Sequence, residues 1–187
     1  MTRQVGTSTT IAAPPPPVSR ALDLRAGTLF GFRPGPNTNP DLVLNALTPV
    51  LGPPTRDTGW YVTRSVPVPG GGEDCLGHNR QRILRWGSVS YAFWHSNVYV
   101  LWSWTLGNSE AAQEGDRREP HPIIERPIVK ATTVGGLGVG TPVAALRNRL
   151  GDDLHLYDNG QRATASAVQL SIKHGAVTGY AGVLSFC

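Results

Sequence analysis

Only two of the 187 residues are lysine, two are cysteine and one is methionine. Arginine therefore fills nearly all of the 17 basic positions, a bias that a GC-rich coding sequence produces without any demand for phosphate binding. The basic residues are scattered and no run exceeds Arg117-Arg118, so the net charge of +4 does not describe a nucleic-acid-binding stripe. There is no apolar run of the roughly 18 residues that a membrane-spanning helix needs. Nor is there a Gly-x-Ser-x-Gly elbow, a His-Glu-x-x-His pair or a Gly-x-x-x-x-Gly-Lys-Ser/Thr loop, which removes the commonest signatures of serine hydrolases, zinc peptidases and P-loop enzymes. Gly135 to Gly140 is glycine-rich, but the last glycine of a dinucleotide fingerprint would fall at Val143. No cofactor is expected.

Cys75-Leu-Gly-His78 has the spacing of half a zinc site, yet nothing in the sequence completes four ligands, so no metal is expected either. Cys75 and Cys187 instead suit a single disulfide in an exported protein. Their pairing would close a loop of 112 residues and remove roughly 4 to 5 kcal/mol of denatured-state freedom in the chain-entropy account. Residues 6–17 are rich in Ser, Thr and Pro and end in Pro14 to Pro17, which extends as polyproline II, so residues 1–19 read as a disordered tether. No apolar leader precedes Pro14, and we expect a signal or anchor segment upstream. An ordinary cytosolic N-terminal tail is the alternative.

Two stretches of the chain align without a gap at a constant offset of 79. Val89 to Val98 lies over Val168 to Val177, with His95 on His174. Both read as β-hairpins. A two-residue turn at Ser96-Asn97 would pair His95 with Val98, Trp94 with Tyr99, Ala92 with Leu101 and Tyr91 with Trp102. Val89, Tyr91, Phe93, Val100, Trp102 and Trp104 would then share one buried face. The second copy would repeat it with Val168, Leu170, Ile172, Ala181 and Val183, with Gly175 opening a type II′ turn. Gln169, Ser171, Lys173 and Thr178 would face water.

A short helix precedes each hairpin. Leu44, Leu47 and Leu51 before Gly52 match Val143, Leu146 and Leu150 before Gly151. Asn39-Pro40 and Thr141-Pro142 supply a capping side chain and a proline at the first helical position, and each closing glycine suits the helix end. Pro49 predicts an early end to the first helix. The expected organisation is repeat one at 20–108 with a long loop around Cys75, a solvated linker at 109–127, and repeat two at 128–187. The fold class is α+β: two repeats of a short helix packed on one face of an antiparallel meander.

The order Leu-Gly-Pro-Pro (51–54), Trp60, Cys75, Arg82-Ile-Leu-Arg-Trp-Gly (82–87), an aromatic hairpin, Thr-Pro-Val-Ala-Ala-Leu-Arg-Asn-Arg-Leu-Gly (141–151) and a terminal Cys resembles uncharacterised exported two-repeat proteins of high-GC Gram-positive bacteria. That resemblance brings no activity with it. The repeated unit, a glycine, then a capped helix ending Leu-Gly, then strands, is also similar to the tandem unit of beta-lactamase inhibitor proteins and of small outer-membrane assembly lipoproteins. It covers about residues 28–187 and implies a fold that binds other proteins, without identifying a site.

Nine of the fourteen aromatic residues fall between Trp60 and Trp104. In the expected pairing Trp94 and Tyr99 lie beside Ala92 and Leu101 on the face that should be polar. Either a second layer such as the 53–80 loop covers that face, or it is a contact surface for a protein or a sugar ring, with Trp60, Arg85 and Trp86 joining it. The expectation is a secreted or envelope-tethered, non-enzymatic binding protein whose ligand is a protein or cell-wall polymer. A wall-directed hydrolase using Glu73 or Asp74 with His78 is the alternative.

Overall fold

The computed structural model describes residues 21–62, 80–95, 97–109 and 129–184. The expected tether, the loop around Cys75, all but Ser109 of the expected linker, and Cys187 lie outside the described residues. Strands β1 (Leu22–Asp23) and β2 (Thr28–Leu29) form a small ribbon, followed by β3 (Gly35–Pro36) and helix α1 (Pro40–Leu51). Then come β4 (Arg56–Asp57), β5 (Tyr61–Val62), β6 (Arg80–Trp86), β7 (Val89–His95) and β8 (Tyr99–Gly107). Helix α2 (Val143–Leu150) leads into β9 (Leu154–Tyr157), β10 (Arg162–Ala165), β11 (Val168–Lys173) and β12 (Ala176–Val183).

The strands from β3 onward belong to one antiparallel sheet of ten. Its path runs β4-β6-β7-β8-β12-β11-β10-β9, with β3 on β8 and β5 on β6. The architecture is α+β, as expected, with the meanders of both arms joined in a single continuous sheet. The final strand of each arm pairs with the other at the β8–β12 seam, and each meander runs outward from there.

Helix α1 begins as its sequence requires: the Asn39 side chain accepts the Asp41 N–H at 2.9 Å and Pro40 occupies the first turn. Contrary to expectation it does not end at Pro49 but runs to Leu51. Gly52 then takes φ 80° and its N–H bonds to the Thr48 carbonyl. In α2 the expected Thr141 cap is absent. Its hydroxyl instead accepts the Gly138 N–H at 2.9 Å, closing the preceding turn, and Pro142 stands at the cap position.

The hairpin registers differ from those read in the sequence. The β7–β8 loop spans three residues, so His95 pairs with Tyr99, Trp94 with Val100 and Phe93 with Leu101. A one-residue slip sends each side chain to the other face. A bulge after Ala92 leaves Trp102 as the extra residue, and Trp104 is thereby returned to the core opposite Tyr91. The buried face is Val89, Tyr91, Phe93, Leu101, Trp104 and Leu106, not the set with Val100 and Trp102.

In the other arm Lys173 pairs with Ala176 across His174-Gly175. Both turn residues have positive φ, 53° and 74°, which fits a type I′ turn with Gly175 second rather than a II′ turn with Gly175 first. Val168, Leu170, Ile172, Val177 and Tyr180 fill the core, while Ala181 pairs with Gln169 on the opposite face. A bulge falls here too, between Ser171 and Ile172. Those positions stand at the same offset of 79 from Ala92 and Phe93, where the first hairpin is bulged.

Both helices and the 21–32 segment lie over this core. Val43 and Leu47 of α1 and Leu146 of α2 are fully buried, with Leu44, Leu51, Val143 and Leu150 packed around them. The Trp86 indole N–H donates to the Gly52 carbonyl at 2.9 Å and fixes the end of α1. The Tyr91 hydroxyl donates to Leu29 at 2.7 Å and the Trp104 indole N–H to Gly27 at 3.0 Å, so both tryptophan and tyrosine tips find partners beneath the first ribbon. Burial pushes the Tyr91 and Tyr180 phenols well above the ordinary tyrosine range, which keeps both neutral.

At the seam Gly182 is opposite Trp104, and a β-carbon there would sit 2.5 Å from the indole Cε2. Glycine is therefore required by close approach. Gly182→Ala is expected to destabilise the protein by about 1–3 kcal/mol through overpacking, read as a lower urea midpoint. Gly35→Ala, where nothing lies within 4 Å of the added carbon, serves as the control.

Candidate functional site

Trp60 reaches the surface from a short turn that is strapped to β6. The Thr58 N–H donates to the Ile83 carbonyl at 3.1 Å, and the Ile83 N–H returns a bond to the Thr58 hydroxyl at 2.8 Å. Asp57 accepts the Gly59 N–H at 3.0 Å and takes both arms of the Arg82 guanidinium, Nε at 2.9 Å and Nη2 at 2.6 Å. Arg82 also reaches Asp41 on α1 at 3.3 Å, tying helix, turn and strand together. The forked Arg82 contact holds the Asp57 carboxyl below the usual carboxylate range against the opposing effect of burial.

Beside Trp60, His95 and Tyr99 close the β7–β8 hairpin as a cross-strand pair, their ring centroids 4.5 Å apart and their planes inclined by 35°. The Trp60 ring lies 5.5 Å from His95 and 5.8 Å from Tyr99. Trp60 packs one side against the core, while Tyr99 remains 37% exposed. Val98 in the hairpin loop is 47% exposed and Val62 on β5 is 61% exposed. The three rings, with Val98 in the loop and Val62 across the exposed Arg80 in the same cross-strand row, thus form a largely aromatic and aliphatic patch with one cation in it at the outer end of the first arm. A patch with an aromatic anchor seated in the core and exposed apolar neighbours suits contact with another surface.

The sequence-expected surface is only partly brought together. Trp60 and Tyr99 meet. Trp94 is half-buried and lies on the opposite face of the sheet from Tyr99, in a row with Gln81 and Val100. Leu101 is fully buried on the core face, a direct result of the register slip. Trp86 is core, bonded to Gly52. Arg85 is buried at 4% exposure on the second face beside Ser90. That face of the first arm is closed, with Gln81, Ile83, Ala92, Ser103 and Thr105 also buried. His95, Val62 and Val98 are the members of the site that sequence reasoning did not include.

Among the described residues no group of three or more His, Cys, Asp and Glu is placed to hold a metal ion. No helix among them is long and apolar enough to cross a membrane. Glu73, Asp74, Cys75, His78 and Cys187 lie outside the described residues, and with them the expected disulfide and the acids of the hydrolase alternative. Compared with family models, curated proteins and solved structures, the chain matches none of them.

The Asp57 strap makes an acid-side prediction. Its folded pKa is lowered, so its stabilisation is present above about pH 4, the unfolded carboxylate value, and is lost as pH falls through the folded value. The Trp60 indole N–H resonance is expected to shift and broaden over that interval in the wild type, and Asp57→Asn is expected to show the low-pH spectrum already at neutral pH. A Trp60 signal identical in both proteins at neutral pH would show that the strap does not position the ring.

Proposed function

We propose that the protein is a non-enzymatic binding protein, secreted or tethered to the cell envelope, and built from two related helix-plus-meander units. Its contact surface is the patch of Trp60, His95, Tyr99, Val62 and Val98, and its ligand is a protein or a cell-wall polymer. The observation that carries this reading is the three-ring cluster rooted in the core and open on its outer side. The relation between the units draws support from their shared element order and from bulges at corresponding hairpin positions.

Aromatic anchors carry a disproportionate share of binding energy because they bury much area with few rotatable bonds. The test is retention of the full chain on insoluble cell-wall polymer, with cross-linking to wall-associated proteins as the second arm. Trp60→Ala combined with Tyr99→Ala is expected to weaken binding at least about tenfold, the equivalent of removing one anchor, with unchanged circular dichroism. Equal retention of the variant and the wild type overturns the assignment of this surface.

Export and the Cys75–Cys187 bridge belong to the same proposal. The oxidised protein from an exporting host is expected to resist alkylation at both thiols until reduced, as read by intact mass. Two thiols that alkylate without reductant count against the bridge and against the compartment inferred from it.

A further inference from the structure

The outer face of the second arm is unlike that of the first. Where the first arm's second face is closed, Gln169 and Lys173 on β11 and Arg162 on β10 remain exposed. A groove of about 630 Å³ lies here, between the 158–160 turn, the 174–175 turn and Asn108 at the end of β8. We infer that this groove is a binding site for an oxyanion-bearing saccharide, that is, a sugar unit carrying a carboxylate or a phosphate.

Its charge argues for an anion. Arg162 is directly opposite Ser171, and Lys173 is two residues further along the same face, so the two cations are diagonal neighbours roughly 7 Å apart at their strands. Asp158 bonds Arg162 at 3.0 Å and fixes one rim, and Lys173 brings a second, exposed cation to the same face. Among the described residues, two cations flanked by one carboxylate are too few for a nucleic-acid backbone, which is held by a row of phosphate contacts.

Its size and lining argue for a saccharide. The volume lies within the roughly 300–1,000 Å³ of small-molecule sites, well beyond what a bare ion fills. The side-chain amides of Asn159 and Gln161 both donate and accept, as the hydroxyls of a sugar do. Ile172 is the one large aliphatic residue among the described residues of the lining, so a lipid or an apolar peptide would find little to bury against there.

The backbone at this place is shaped for the groove. Thr178 is the extra residue of the β11–β12 bulge, and its hydroxyl stands 3.2 Å from the carbonyls of both Asn108 and Ser171, fixing the groove wall. Three of the six non-glycine residues with left-handed backbone among the described residues border it: Asp158, Asn159 and His174.

The experiment is titration of the full chain, followed by amide chemical shifts, with three probes: tri-galacturonate, glucose 6-phosphate and neutral maltotriose. At least one of the first two is expected to bind at millimolar concentration or below, shifting residues 159–162 and 171–178, and to bind at least about tenfold more tightly than maltotriose. Which of the two binds separates the carboxylate from the phosphate source. Lys173→Glu, at an exposed strand end, is expected to weaken that binding by about tenfold or more, and Lys173→Gln by less. Absence of groove shifts with both anionic probes overturns the inference, as does equal binding of maltotriose, tighter binding of duplex DNA, or affinity unaltered in Lys173→Glu. Trp60→Ala is expected to leave these titrations unchanged, so failure of the aromatic patch and failure of the groove are read separately.

Discussion

The contact between the Trp104 indole and the bare backbone of Gly182 is the one on which the rest of the structure depends. It lies on the seam where the last strands of the two meanders pair, and it sets how closely those strands carry their buried faces against one another. The same indole donates its N–H to Gly27, which brings the 21–32 segment over the seam. That segment then bonds to the second arm through Leu22 and Thr132. One large residue thus joins the first meander, the second meander and the ribbon that covers both.

Much of the fold was legible in the sequence, because periodicity and punctuation are local properties. The apolar spacing of Leu44, Leu47 and Leu51, the Asn39 cap and the glycines at 52 and 151 each follow from single-turn geometry, and the helices form where those signals stand. The α+β class follows from them. Register was not legible. Whether the hairpin at 95–99 closes through two residues or three is decided by how the strands twist and by which side chains the core accepts, and both are tertiary. The bulge at Ala92 was likewise invisible, although it is what returns Trp104 to the interior.

The candidate site was legible in part for the same reason. Aromatic density between 60 and 104 identified the region, and Trp60 and Tyr99 do meet. Once the register moved by one, Leu101 entered the core, Trp94 separated from Tyr99, and His95 took its place beside it. The sequence reading joined Arg85 and Trp86 to one open surface, although neighbours along a strand point to opposite faces. The sheet buries both, one on each face.

The outermost strands of the long sheet are short: β4 and β5 have two residues each and β9 has four. A margin so abbreviated offers few free amide and carbonyl groups in line, which leaves little template for another chain to extend the ladder. Among the described residues the edges thus offer little backbone for annealing, and the same geometry guards a strongly β-structured polypeptide against polymerising edge to edge.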